Sequence, residues 1–274
     1  ASGIEYINNK IYIIGDDANN LLVLDSNLNT IDSIPLYSFP EKKIPKAVKP
    51  DLESIALLPD KKILLSGSGS WAPRRNIAWL IDPATKEKDS IRLDTFYKRL
   101  SLYGIKELNI EGIAPVPGGV ILCNRGNKGY PKNQLVFVKK NFWQQQSHTE
   151  ILTAFFGSNT DSTVFHGVSG LGYSAKNDML ICTISTEDTR NSTEDGAIGK
   201  SYLWIVNNIS AKKRWKAINP DKIIDLEETD ARFKGQKIES VCITKETKKL
   251  LYLVLAADND NGSSTLFKLV VSKE

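Results

Sequence analysis

The feature that most constrains this chain is a motif repeated five times. An apolar residue, a Glu or Ser, a small residue and an apolar residue come first. A tight turn and an apolar strand follow. The copies are Gly3 to Asp17 (GIEYINNKIYIIGDD), Asp51 to Ser70 (DLESIALLPDKKILLSGSGS) and Asn109 to Asn127 (NIEGIAPVPGGVILCNRGN), then Gly167 to Asp188 (GVSGLGYSAKNDMLICTISTED) and Lys237 to Asp260 (KIESVCITKETKKLLYLVLAADND). The marked positions are Glu5, Glu53, Glu111, Ser169 and Glu239, spaced 48, 58, 58 and 70 residues apart. A third strand follows every copy: NLLVLD, NIAWLID, QLVFVKK, SYLWIVNN and TLFKLVV. A fourth follows in four copies, at TIDSIPL, KDSIRL, around HTEIL and at DKIIDL; the fifth copy stops after strand three. Helical periodicity is confined to a short stretch near LDTFYKRLSLYG.

Four antiparallel strands repeated about one axis predict an all-β chain, a five-bladed β-propeller whose last blade lacks its outer strand. A β-sandwich is the alternative, but it does not call for one marked position per repeat. The whole of 1–274 reads as one domain, long enough to bury a sizeable core.

In a propeller the first strand of each blade lines the central channel, and alternating strand direction sorts the loops onto two faces. The strand one-to-two turns are short (NNK, PDKK, PGG, AKND, KETKK). The strand two-to-three loops and the segments between blades are long, and both fall on the face where each first strand begins. Long loops gathered on one face of a rigid scaffold carry binding sites.

Four carboxylates and a hydroxyl around one axis repel and lose hydration, which is costly unless they are compensated. Arg or Lys would do it; so would a hard cation. An oxygen ring suits Ca²⁺ and, lacking His or Cys, disfavours zinc. The competing reading is structural: each Glu accepts backbone N–H groups between blades. The cation reading is the stronger, because the position repeats. Glu5, Glu53, Glu111, Ser169 and Glu239 are therefore the candidate calcium ligands. Arg75, Arg125, Asp16 and Glu187, at the ends of second strands or in the loops after them, are the candidate ligand-binding residues. An arginine there could grip a phosphate or carboxylate, or neutralise the acidic ring.

One Glu or Ser per blade about a five-bladed axis resembles the calcium-activated nucleotidases (soluble apyrases). In that family serines from two blades and glutamates from three hold the central Ca²⁺. By this resemblance Glu53, Glu111, Ser169 and Glu239 keep the family's residue types, while Glu5 stands where the family has serine. The resemblance covers the repeat framework and not the nucleotide-binding loops. The phrases DLESIALLP, NIEGIA, NRGN and STEDT with EDG are also similar to a group of uncharacterised bacterial propeller proteins.

Other motifs dissolve on inspection. GAIGKS fails as a phosphate loop because Glu194 falls where its first Gly should be and a strand follows. GVSGLG is no nucleophile elbow, because Leu171 replaces the second Gly. His148 and His166 pair with no obvious nucleophile and read as loop or packing residues. STEDTRNSTEDG, with Glu187, Asp188, Glu194 and Asp195, reads as a solvated loop. Cys123, Cys182 and Cys242 lie in apolar strand patterns, which predicts buried free thiols.

A net charge of +4, from 36 basic and 32 acidic residues, lacks the basic stripe of a nucleic-acid binder. No apolar run approaches the ~20 residues of a membrane helix. The expectation is a monomer, in the periplasm or cell envelope rather than the cytoplasm. It would bind a small anionic ligand or a protein partner. The alternatives are a Ca²⁺-dependent nucleotide phosphohydrolase and a scaffold with a structural cation.

Overall fold

A computed structural model describes residues 1–157, 164–187, 198–259 and 263–273, apart from the side chain of Glu187. Blade 1 comprises β1 (Gly3–Ile7), β2 (Lys10–Ile14), β3 (Asn20–Leu24) and β4 (Thr30–Pro35). Blade 2 comprises β5 (Leu52–Leu57), β6 (Ile63–Gly67), β7 (Ile77–Ile81) and β8 (Lys88–Arg92). The nine-residue helix α1 (Asp94–Leu102) leads into blade 3, formed by β9 (Ile110–Val116), β10 (Gly119–Asn124), β11 (Asn133–Val138) and β12 (Ile151–Phe156). Blade 4 holds β13 (His166–Ser174), β14 (Met179–Glu187) and β15 (Ile198–Asn207). The chain then detours: β16 (Ala217–Ile218) adds in parallel to β12 of blade 3 before β17 (Lys222–Asp225) returns to the edge of blade 4. Among the described residues blade 5 has three strands, β18 (Ile238–Glu246), β19 (Leu250–Asp258) and β20 (Ser264–Ser272).

Apart from β16, the neighbouring strands within each blade are antiparallel and follow chain order outward. The inner strands β1, β5, β9, β13 and β18 each pack on the next, and β18 packs on β1, which closes the ring. The five-bladed propeller with a short last blade is thus the observed fold.

Five apolar layers hold the ring, one per blade interface. Tyr12, Ile14 and Leu21 meet Ile55 and Leu65 between blades 1 and 2. Leu64 and Ala78 meet Ile113 and Leu122 between blades 2 and 3, with Phe96 and Leu100 of α1 in the same layer. Cys123 and Leu135 meet Val168 and Cys182 in the next, and Ile181 and Leu203 meet Val241 and Leu253 in the fourth. The last layer, Ile4 and Ile13 against Cys242 and Val254, seals blade 5 to blade 1. All three cysteines are buried and free, as expected. Among the described residues no helix is long and apolar enough to cross a membrane.

The small residue of the motif has a steric cause. Inner strands of neighbouring blades converge at the axis. A Cβ on Gly112 would lie 2.6 Å from Leu171 Cγ and 2.9 Å from Leu171 N; one on Gly170 would lie 2.5 Å from the Glu239 carbonyl oxygen. Serine is the largest residue the other blades place there, as Ser54 and Ser240.

Candidate functional site

The marked residues of blades 2 to 5 share one backbone irregularity. Leu52 lies opposite Gly67 and Ser54 opposite Ser66, so Glu53 has no partner across the hairpin. Glu111 is passed over in the same way between Ile110 and Gly112, Ser169 between Val168 and Gly170, and Glu239 between Ile238 and Ser240. Each is the extra residue of a β-bulge, a device that re-aims a side chain and recurs beside functional sites.

Blade 1 corrects the sequence reading. Glu5 pairs regularly with Tyr12, and the position matching the bulge residue is Ser2, which precedes Gly3 opposite Ile14. Ser2 is buried. The ring is therefore Ser2, Glu53, Glu111, Ser169 and Glu239. Glu5 lies three residues further along the inner strand, where its oxygens accept the N–H groups of Tyr6 (2.9 Å) and of Leu57 in the next blade (3.1 Å). Its bond with Leu57 is the kind of interblade backbone bond that was the structural alternative for the whole ring.

Ser2, Glu53 and Glu111 line one narrow axial cavity together with Ser240, whose buried hydroxyl oxygen has no hydrogen-bond partner. Ser169 Oγ donates to the Ile238 carbonyl (2.7 Å) and lies 3.1 Å from Thr183 Oγ1.

The ring glutamates differ in their company. Burial pushes the Glu111 carboxyl up to about 8 against the opposing pull of Arg125, with Glu239 pushing the same way as burial. Glu111 also accepts from Asn109 Nδ2 at 2.6 Å. Burial likewise raises Glu239, countered by Lys237, whose ammonium is 3.0 Å away. Glu53 has no hydrogen-bond or ion-pair partner among the described residues. Burial first, then Asp51, Glu111, Asp16 and Glu239, drive its carboxyl far above the ordinary range.

Beside Glu53 lies a charge network built by the segment between blades 1 and 2. Lys49 bridges Asp16 and Asp51 (2.8 Å to the latter). Asp51 adopts φ 57°, a left-handed conformation that Asp tolerates better than most residues. Its carboxylate also receives Arg75 Nη1 at 2.6 Å and the Ser68 hydroxyl. Oxygens of Asp16, Asp51 and Glu53 lie within 4.8 Å of one another, a possible acidic cation-binding group. Among the described residues no other three carboxylates, those of Glu53, Glu111 and Glu239 included, come that close.

Arg75 is buried, and its Nη1 bonds Asp51 and Ser70 instead of facing solvent. Arg125 is also buried, its guanidinium lying against the backbone of Gly167, where a Cβ would come within 2.6 Å of Nε. Asp16 joins the Lys49 bridge. Glu187 ends β14, its backbone paired with Ile198, and Asp188, Glu194 and Asp195 lie outside the described residues. His166 packs on the rings of Tyr202 and Trp204.

The sequence reading missed Ser2, Lys49, Asp51, Lys237 and Trp71. Trp71 stands 47% exposed in the loop between β6 and β7, with the guanidinium of Arg74 5.6 Å from its ring. For Ser2 a signal existed. Tyr6 is not the small residue the motif demands after its polar position, whereas Ser2-Gly3-Ile4 fits the rule.

No curated protein matches the sequence. Among solved structures, glutaminyl cyclase of Myxococcus xanthus aligns at TM-score 0.54 and 8% identity, over 100% of this chain and 91% of that one. Streptogramin B lyase aligns at TM-score 0.40 and 10% identity, over 98% and 82%. A member of the DUF4221 family from Bacteroides vulgatus aligns at TM-score 0.39 and 12% identity, over 97% and 75%. At 8% identity the cyclase likeness is one of fold. The sequence itself matches a family of unknown function over residues 1–271, and the chain belongs to that family, DUF6929.

Proposed function

We propose that the long-loop face is a binding site in which a divalent cation, calcium by the donor chemistry, sits on the ring Ser2, Glu53, Glu111, Ser169 and Glu239 and helps to hold a small anionic ligand or an acidic group of a partner. The observation that carries this reading is Glu53, a desolvated carboxylate without a donor that faces other carboxylates. Such a group holds a proton or takes a cation. The all-oxygen donor set suits a hard cation of flexible coordination, with waters completing the shell. The unpartnered Ser240 hydroxyl in the same cavity supports an additional polar occupant.

The neighbouring cations define the rest of the site. Lys49, Arg125 and Lys237 already balance part of the acidic charge, so a bound dication would leave a surface receptive to anions. Calorimetry on chelator-treated protein tests the reading. About one Ca²⁺ per chain is expected, weakened in Glu53→Gln and Ser2→Ala. Inorganic phosphate should then bind more tightly with Ca²⁺ than without. Absence of Ca²⁺ binding at millimolar concentration overturns the reading; Ca²⁺ binding without any effect on anions reduces the cation to a structural one.

Trp71 and Arg74 favour a second reading, a Ca²⁺-dependent nucleotide phosphohydrolase. An exposed indole beside a guanidinium offers a stacking surface and N–H groups that donate to a phosphate. Metal-dependent release of phosphate from nucleoside di- or triphosphates, reduced in Trp71→Ala and Arg74→Ala, would support it. No turnover across that panel rejects it.

A further inference from the structure

The opposite mouth of the channel holds a second feature. On the short-turn face the inner strands enclose a bowl of about 620 Å³, inside the roughly 300–1,000 Å³ range of small-molecule pockets. Its walls are largely apolar, with Leu57, Ile113, Leu171 and Val241 from four blades and the aromatic residues Tyr6 and Tyr173. The Tyr6 hydroxyl donates to Asn9 Oδ1 (2.8 Å) and the Tyr173 hydroxyl to Asp178 Oδ1 (3.0 Å), so both protons are engaged with partners other than Glu5.

Two charged residues line the bowl, Glu5 and Lys61. Lys61 is exposed and makes no ion pair with Glu5. Glu5 has no Lys, Arg or His partner among the described residues, unlike Glu111 and Glu239, which each lie beside a cation. Its contacts are the two backbone N–H groups, one on each oxygen. Each carboxylate oxygen keeps further lone-pair capacity.

We propose that this bowl is a second binding site, for a small organic ammonium ion: a primary amine on an apolar body, its head on Glu5 and its body against the inner-strand side chains. Charge complementarity chooses this occupant. An uncompensated carboxylate in apolar surroundings gains most from a cation that brings its own apolar surface. A hard metal ion is a poor fit, because one carboxylate in apolar walls cannot supply its oxygen shell. An ammonium presents three donors to the free lone pairs of Glu5. This proposal is independent of the cation reading for the opposite face, since Glu5 stands outside the ring.

Calorimetric titration of the full chain at pH 8 with phenethylamine, and with 2-phenylethanol as its uncharged isostere, tests it. The amine should bind saturably with one site, and the alcohol about tenfold more weakly or worse, in line with measured coupling of close charge pairs. The Glu5→Gln protein should bind the amine no better than the alcohol, while its Ca²⁺ titration stays as in the wild type. Equal binding of amine and alcohol by the wild type, which needs no variant, overturns the proposal. So does full amine affinity in Glu5→Gln, or no amine binding at millimolar concentration.

Discussion

Arg75 Nη1 and Asp51 Oδ2 meet at 2.6 Å with 4% and 5% of their side chains exposed. The two residues come from different loops, one leading into blade 2 and one between its second and third strands. Their pairing ties the long-loop face together beside Glu53. Removing Arg75 leaves Asp51 buried with Lys49 as its remaining cation. Losing one partner of a buried pair costs about 3–5 kcal/mol. Arg75→Ala should therefore lower stability by that order in a denaturant melt. A variant with wild-type stability would show that Arg75 serves a ligand and not the fold.

The ring and its neighbour in sequence are separable by metal titration. Glu53→Gln keeps side-chain volume but removes a charge that a hard cation needs, and Ser2→Ala removes one oxygen. Both should weaken Ca²⁺, Glu53→Gln by about tenfold or more, equivalent to about 1.4 kcal/mol. Glu5→Gln should leave the Ca²⁺ isotherm unchanged. The reverse ranking, with Glu5→Gln weakest, would restore Glu5 to the ring and displace Ser2.

Gly112→Ala probes the closeness of the blades. The added methyl meets backbone as well as side chain of Leu171, so a rotamer change alone cannot relieve it. Overpacking of this kind costs about 1–3 kcal/mol. Chemical denaturation should show that loss. An unchanged midpoint would mean that blades 3 and 4 separate easily at the axis.

Glu5 also gives a pH signature. Burial raises its carboxyl from 4.5 to about 7, only partly offset by the Tyr6 and Leu57 N–H groups. The folded state then holds this proton to higher pH than the unfolded state does. By linkage, stability on this account is greatest below about 4.5 and falls as pH rises toward 7. Glu5→Gln removes the ionisation. Its melting temperature relative to wild type should rise between pH 5 and pH 8, by roughly 2–4 °C for each 1 kcal/mol gained. A difference that stays constant across that range would show that Glu5 titrates normally.

The sequence alone determined the architecture. A motif of fixed form, recurring with a third strand each time and a fourth in four of five copies, admits few folds other than a ring of blades. The short last blade, the helix before blade 3 and the buried free cysteines were all legible, because each rests on local periodicity. So did the polar positions of blades 2 to 5, where Glu53, Glu111, Ser169 and Glu239 stand before a small residue and an apolar one. Blade 1 was misread by three residues, since Glu5 follows an apolar residue as the motif requires, and a β-strand's alternation does not reveal where a bulge interrupts it. That register is decided across the hairpin, by Gly3 pairing with Ile14. Tertiary structure alone decided the company each charge keeps. Asp16, Asp51 and Arg75 come from separate loops, and nothing in their spacing foretells a shared buried network with Lys49. Nor does the sequence show that Glu5 faces an apolar bowl without a counter-ion while Glu111 and Glu239 of the ring lie beside theirs. Desolvation and charge pairing depend on what five converging strands bring within a few ångströms of the axis, and that distance exists only in the closed ring.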